Sequence, residues 1–381
     1  MKTFAFLLLL TSTATAVRVV GAAEGFAKGV TGGGNAAEVF PKSNAELISY
    51  LGDSTPRVIV LDRTFNFIGS EGRTSATGCA PFGTGASCQT AINANNWCTN
   101  YQKNAPKVAV NYDNAALNPI RVASQKTLVG VNDKGIIQGK GLYIANGAKN
   151  IIIQNIKIQE LNPQYVWGGD AIALDNADMV WIDHITTYHI GRQHVVLGNG
   201  PSNRVTISSN DFDGRSDYSA TCNGKHYWAL YFTGSSDLIT FKNNYIHSTS
   251  GRSPKVSGNT LLHALNNYFY DNPSHAFEIG SGARILAEGN AFQNIANPIE
   301  TASIESNGYI FTAPDANSNA LCGGYLGRSC VLNAFGSSGP FAGVGSVDQA
   351  LANFKGRSVP SAGASGDTVG YVLPRAGFGK V

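Results

Sequence analysis

Charge is scarce in this chain. Asp, Glu, Lys and Arg make up 14% of its 381 residues, well below the roughly 25% of an ordinary globular protein. The net charge is only +3 and no run of like charges occurs, so a nucleic-acid partner is not expected. Past the first ten residues no stretch approaches the ~18 apolar residues that cross a bilayer, which argues against a membrane protein. Several signatures are missing altogether: a phosphate-cradling loop, a nucleotide fingerprint, a Gly-x-Ser-x-Gly elbow, HExxH and any CxxC pair. Nucleotide-dependent, α/β-hydrolase and zinc chemistries lose their usual supports with them. There is no Asp-Asp dipeptide, although isolated acids such as Asp170, Asp175 and Asp183 occur. A glycoside hydrolase, which wants two convergent carboxylates, is weakened rather than removed. No Asn-x-Ser/Thr acceptor exists, so N-glycosylation is not expected.

Glycine (44 residues), Asn, Ser and Thr occupy the space that charge leaves, beside 43% apolar residues. That is the composition of a turn-rich β protein. Met1-Lys2-Thr3, an apolar core at residues 4–10 and Ala14-Thr15-Ala16 have the order of a secretory signal peptide. Residues 1–20 are assigned to it, with cleavage between Ala14 and Ala23, and residues 21–381 to a single secreted, extracellular domain. Six cysteines in a secreted chain predict three disulfides. Cys322 and Cys330 most simply close a local loop. Cys79, Cys88, Cys98 and Cys222 allow three pairings, and spacing does not choose among them.

From about residue 120, short apolar strands alternate with polar turns, and one element recurs: Gln154-Asn155-Ile156, Asp183-His184-Ile185, Asn210-Asp211-Phe212, Asn243-Asn244-Tyr245, Asn266-Asn267-Tyr268 and Asn290-Ala291-Phe292. The intervals between first positions are 29, 27, 33, 23 and 24 residues, a solenoid spacing. Leucine-rich repeats share the period but need LxxLxL, which is absent. Period-2 runs such as Ala171-Ile172-Ala173-Leu174 are strands. The expectation is an all-β, single-stranded parallel β-helix with long loops forming a cleft on one side. Stacked Asn side chains would serve structure rather than function. The longest interval carries Cys222 and an unpatterned loop from Asp213 to Lys225, which Cys222 could tether to the early cysteines. Residues 44–51 read as a short capped helix closing the N-terminal end. The Ser/Gly/Ala-rich tail after Asn333 reads as irregular and loose.

Two groups of residues point to chemistry. Trp97, Trp167 and Trp228 fall in loops or at strand edges, where aromatic faces can stack on sugar rings; Tyr227 and Tyr101 lie near them in sequence, and Phe82, in the cysteine-rich loop region, is a further candidate for the cleft. Trp181, inside an apolar strand, reads as core. The second group is cationic. Arg252 and Lys255 lie in Ser250-Gly251-Arg252-Ser253-Pro254-Lys255, and Arg192 in Gly191-Arg192-Gln193-His194. Cations braced by small or stiff residues commonly meet an anion or a developing negative charge.

These motifs, with Trp181-Ile182-Asp183-His184, Tyr165-Val166-Trp167-Gly168-Gly169-Asp170, Asp217-Tyr218-Ser219-Ala220-Thr221-Cys222, Asn259-Thr260-Leu261-Leu262-His263 and His275-Ala276-Phe277-Glu278-Ile279-Gly280, resemble the pectate/pectin lyase superfamily (polysaccharide lyase family 1), and within it the fungal-type pectin lyases. The resemblance spans roughly residues 40–335. It implies a right-handed parallel β-helix and β-elimination: a proton leaves C5 of a galacturonosyl residue, the C4–O bond breaks and a 4,5-unsaturated end forms. It implies that Arg252 is the base, against the rule that Arg stays protonated, with Arg192 and Lys255 as the like charges that would disfavour its charged form. Asp170 matches an acidic position of the calcium site of pectate lyases, while Arg192 stands where those enzymes carry a further acid. Asp170 would then orient Arg192 or Arg252. The implied substrate is methyl-esterified pectin, with no metal and no cofactor, and a monomer is expected. The resemblance also implies the pairs Cys79–Cys98, Cys88–Cys222 and Cys322–Cys330. At Cys79-Ala80-Pro81-Phe82-Gly83 some fungal relatives carry Trp, so binding there would differ. The alternatives are a Ca²⁺-dependent pectate lyase and a polysaccharide-binding β-helix without turnover.

Overall fold

β-branched residues at alternate positions make each short segment a strand, and the turns decide how strands stack. In the computed structural model, which describes residues 19–381, the chain winds into coils whose strands pair with their counterparts one coil on. The ladders between coils are parallel and in register. One interior file runs Ile151, Val180, Val205, Ile239, Leu262, Ile285; the file two residues on runs Ile153, Ile182, Ile207, Phe241, Ala264, Ala287. All twelve side chains are fully buried. The fold is a parallel β-helix. The signal-peptide assignment rests on residues 1–18, which lie outside the described residues.

A third file is polar. Asn210, Asn244, Asn267, Asn290 and Asn333 form a continuous ladder, each Nδ2 donating to the next Oδ1 at 2.8–3.0 Å. Each of Asn210, Asn244, Asn267 and Asn290 also donates to a strand carbonyl of the preceding coil and accepts, through Oδ1, a backbone amide of that coil. Buried amides thus leave no polar atom unpaired, the condition on which an asparagine survives in a core. The repeating triplet in the sequence mixed two roles. Asn155, His184, Ser209, Asn243, Asn266 and Gly289 have left-handed backbones (φ 48–65°), which Asn and Gly tolerate best. The ladder residue is always the next one, and toward the N-terminus that place is taken by Ile185 and Ile156.

The ends are closed from this chain. Helix Asn44–Gly52 is capped by Ser43, whose side chain accepts from the Glu46 amide, and it drives Leu47 and Leu51 into the core. The tail departs from expectation. It contains helices Val347–Leu351 and Ser365–Val372, and its last residues are pinned across three coils: the Gly377 amide donates to the Ser209 carbonyl, Phe378 to Thr186 Oγ1 and Gly379 to Asn155 Oδ1. Composition misled because small residues here let the chain lie flat on the coils. Trp181 is buried, but outside the solenoid, beneath the N-terminal segment with Ala23, Ala27 and Ile152. That segment hangs on threonines of the sheet, Phe26 N–H on Thr240 Oγ1 and Ala27 N–H on Thr206 Oγ1. Gly25 is required there, since a Cβ would lie 2.1 Å from Thr240 Oγ1.

The early insertion forms its own small sheet. Strand Arg73–Cys79 pairs antiparallel with Lys107–Asp113, and Thr90–Ala91 pairs parallel with Tyr165–Val166. The disulfides are Cys79–Cys98, Cys88–Cys222 and Cys322–Cys330. The second crosses 134 residues and ties this sheet to the Asp213–Lys225 loop, where Cys88 also bridges Ser219. Cys322–Cys330 spans only 8 residues. In the chain-entropy account, opening the longer loop costs about 2.5 kcal/mol more than opening the shorter. Cys88→Ser should therefore lower Tm more than Cys322→Ser, and calorimetry showing equal losses would contradict this account.

Candidate active site

Register builds the site. Outward-facing residues of successive coils form one file, Tyr143, Ala173, Val196, Tyr231, Lys255 and Glu278, with neighbours about 4.8 Å apart. The turns entering these strands supply Asp170, Arg192, Tyr227, Trp228 and Arg252, and His275 lies three residues before Glu278 on its own strand. Residues more than a hundred positions apart are thereby set side by side along a line.

Arg252 has a left-handed backbone (φ 40°), unusual for a non-glycine residue and a form of strain that gathers at functional sites. Its backbone is held on both sides: the Leu230 amide donates to the Arg252 carbonyl, and the Ser253 amide to that of Ala276. Gly251 beside it admits the Tyr227 ring, which a Cβ would meet at 2.4 Å. The guanidinium lies 4.8 Å from the Trp228 ring centre, 5.2 Å from Tyr231 and 5.7 Å from Tyr227. Its Nε is 3.4 Å from Glu278 Oε2, and Lys255 Nζ is 3.5 Å from the same oxygen. Glu278 was overlooked as a functional residue, although its motif was noticed. The signal was available: Glu278 is one coil from Lys255 at the repeat spacing. Its presence also changes the electrostatics, since a carboxylate between the two cations offsets the repulsion that clustering alone would impose.

Asp170 attends Arg192 and not Arg252. Its Oδ1 accepts the Gln193 amide at 2.8 Å, and Oδ2 lies 3.7 Å from Arg192 Nη1, an ion pair without a close hydrogen bond. Burial pushes the Asp170 carboxyl above its ordinary value, against the pull of Arg192. The guanidinium of Arg192 stacks over Trp167 at 4.0 Å, and cation–π contacts of this kind hold Arg without neutralising it. Trp167, Asp170, Arg192, Tyr143, Ala173 and Leu117 line a depression of about 260 Å³. Gln89, a second residue that sequence reasoning missed, is wholly buried; it donates to the Gly191 carbonyl at 2.7 Å and accepts from Trp228 Nε1 at 3.0 Å. One amide thus joins the tryptophan beside Arg252 to the turn carrying Arg192.

The aromatic group assembles with one exception. Phe82 packs 6.1 Å from Trp228, Trp97 packs 6.1 Å from Trp167, and Tyr227 packs 4.9 Å from Trp228. Tyr101 does not join them. It is 74% exposed and borders a separate depression with Ala80, Pro81 and Gly83.

Comparison with known proteins fits this arrangement. A sequence profile described as pectate lyase matches residues 2–355. The chain belongs to the pectate lyase family. It is 62% identical over 368 residues to a probable pectin lyase A of Aspergillus oryzae, covering 96% of each chain, and 59% identical over 376 residues to pectin lyase B of Emericella nidulans, covering 98% of each. In fold it is similar to a pectate lyase from Bacillus sp. N165 in complex with trigalacturonate (TM-score 0.59, 19% identity, 94% of this chain and 99% of that one) and to a pectate lyase from Acidovorax avenae subsp. citrulli (TM-score 0.58, 17% identity, 100% and 99%). The protein is a polysaccharide lyase.

Behind the site lie two buried imidazoles, His194 and His226, with ring centres 5.0 Å apart. His194 Nδ1 meets Thr187 Oγ1 and His226 Nε2 meets the Arg192 carbonyl. Burial holds His226 down to about 4, and burial followed by repulsion from His226 holds His194 well below its usual value. Both refuse protons that an unfolded chain accepts near pH 6.5, so their contribution is complete above that pH and is lost as pH falls through about 4. For His226 the loss is on the order of 3 kcal/mol. Calorimetry from pH 7 to 4 should show a falling Tm, less steep in His226→Gln, and a flat profile would refute the assignment.

Proposed function

We propose that this lyase is a secreted, monomeric pectin lyase that cleaves methyl-esterified α-1,4-galacturonan by β-elimination without calcium. The observation that carries the reading is Arg192 beside Asp170. Ca²⁺ takes six to eight oxygen ligands, whereas this place offers one carboxylate with a guanidinium 3.7 Å away. The donor set does not suit the ion. Among the described residues no cluster of three or more His, Cys, Asp or Glu is arranged to hold a metal. An ester needs no metal to offset its charge, and it acidifies the C5 proton itself. The aromatic walls suit a neutral polymer, and the similar fungal chains bear the name pectin lyase. Among the described residues no helix is long and apolar enough to cross a membrane.

In this reading Arg252 serves proton abstraction at C5. The electron pair left behind spreads onto the ester carbonyl, where Arg192 and Lys255 stabilise it, and then expels the C4 oxygen. The bond to that oxygen breaks, the oxygen takes a proton from water, a 4,5 double bond remains, and Arg252 returns the C5 proton to solvent. Asp170 steadies Arg192, and the aromatic residues Trp97, Trp167, Trp228, Tyr227 and Phe82 hold the sugar chain.

Absorbance of unsaturated product should rise on highly methylated pectin and be insensitive to EDTA, with little product on polygalacturonate. Activity that EDTA abolishes would return the protein to the calcium-dependent reading, and no unsaturated product on either substrate would end the lyase assignment.

Arg252→Lys keeps the charge but loses the planar fork, and should cut kcat by about 10²–10⁴-fold with KM nearly unchanged. Full kcat with a raised KM would make Arg252 a clamp for substrate instead.

A further inference from the structure

The group left over by this chemistry is Glu278. It is 5% exposed, on the outer face of a strand whose inward neighbours Phe277 and Ile279 are core residues, and faces the cleft from beneath. Burying a carboxylate is costly unless every oxygen is paired, and here both are. Oε1 accepts the Tyr227 hydroxyl at 3.0 Å and His275 Nε2 at 2.9 Å. Oε2 faces Arg252 Nε and Lys255 Nζ at 3.4 and 3.5 Å. His275 is braced in turn, with Nδ1 3.1 Å from both Glu300 Oε2 and Ser274 Oγ. Burial alone would raise the Glu278 carboxyl, but His275, Arg252 and Lys255 outweigh it and leave it at about 2; burial and the neighbouring Glu278 together push Tyr227 up to about 12.

We propose that Glu278 is the positioning residue of this site, a fixed negative charge that sets the separation and aim of Arg252 and Lys255. The inference rests on the roles given to those two cations above. The geometry divides the labour. One oxygen is spent on Tyr227 and His275, which hold the carboxylate still, and the other is turned toward the cations. Neither cation makes a short hydrogen bond to it, so each is restrained while its remaining donors stay free for substrate. The side chains of Arg252 and Lys255 are 21% and 20% exposed, against 6% for Glu278. The cations therefore reach the cleft and the carboxylate does not. A second function falls to Tyr227: its ring walls the cleft beside Arg252 while its hydroxyl locks Glu278, so substrate contact and cation placement share one residue.

Glu278→Gln keeps the shape and an acceptor but removes the charge. On methylated pectin it should lower kcat about 10–100-fold with KM within about twofold, the pattern of an interaction lost from the transition state alone. Glu278→Asp, which restores the charge on a shorter stem, should recover part of that loss. Because Glu278 acts through the cations, the loss should shrink when Glu278→Gln is introduced into Lys255→Ala, since coupled residues are not additive. Tyr227→Phe, which keeps the ring and frees one oxygen of Glu278, should lower kcat several-fold; it decides the matter if Glu278→Gln does not accumulate as folded protein. Unchanged kcat in Glu278→Gln, or a loss fully additive with Lys255→Ala, would overturn the proposal and leave Glu278 a structural residue. Failure of the underlying reading would show elsewhere, as full kcat in Arg252→Lys while Glu278→Gln was still impaired.

Discussion

Coil-to-coil register is the constraint on which everything else in this molecule hangs. A parallel ladder has a side-chain period of two, so a slip by one residue would turn the file Ile153, Ile182, Ile207, Phe241 outward and bring Lys255 and Glu278 inward. Apolar burial forbids half of the possible slips but tolerates a shift by two, because residues two apart share a face. The asparagine ladder removes that freedom. Asn210 to Asn333 can make their amide contacts only with each other at the same turn, and a shifted coil would strand a buried amide at a cost of about 1–3 kcal/mol per group. The phenylalanine stack beside it, Phe269 on Phe292 at 4.7 Å and Phe292 on Phe335 at 5.3 Å, reports the same alignment in apolar terms.

The active site is a consequence of that alignment. A β-helix offers no deep cavity, because its interior is filled, so chemistry must be written on the outer face and walled by loops. Residues at equivalent positions on successive coils stand about 4.8 Å apart, and a 1,4-linked pyranose unit advances by nearly the same length. The outer file repeats at that interval, with Tyr231 and Lys255 as consecutive positions and Glu278, one coil on, beneath the cleft. Charges of both signs meet on this face, in a protein with few charged residues. Such a concentration needs internal compensation, which Asp170 and Glu278 provide.

The architecture was legible because it repeats. Strand periodicity, the spacing in the twenties and the stacking of asparagine all survive in a single sequence. What the triplets concealed was which Asn did what, since a left-handed turn residue and a ladder residue are the same amino acid side by side, as at Asn243-Asn244 and Asn266-Asn267. Arg192, Arg252, Lys255 and Asp170 were nominated by motif and resemblance, Trp167 and Trp228 by their place at strand edges, and the structure brings Asp170, Arg192 and Trp167 together and Arg252 beside Trp228. Glu278 and Gln89 were harder to see, for a physical reason: each acts across coils, Glu278 on Lys255 23 residues away and Gln89 on Trp228 139 residues away, so only the repeat spacing marks the first and no local pattern marks the second. Tyr101 failed for the opposite reason, proximity in sequence to Trp97 without a place in the aromatic cluster, since it stands 74% exposed beside a separate depression. The tail failed because composition describes how a segment behaves alone, while Gly377 and Gly379 are fixed by acceptors that other coils present.

Fold and site are finally joined by one short path. The disulfide Cys88–Cys222 sits next to Gln89, whose side chain holds the Gly191 carbonyl and the Trp228 indole together. The His226 ring, four residues after Cys222, takes the next carbonyl, that of Arg192. Two insertions that lie far apart in sequence therefore meet at the backbone of one cation, and each contributes a polar contact that the solenoid alone lacks. The covalent bond does not touch substrate, yet it fixes where the Gln89 amide can be. A loop can carry a guanidinium to a cleft cheaply, but holding it against Trp167 at 4.0 Å requires its backbone to be immobile. The insertions provide that immobility, and so lie beside the residues to which the proposed reaction is assigned.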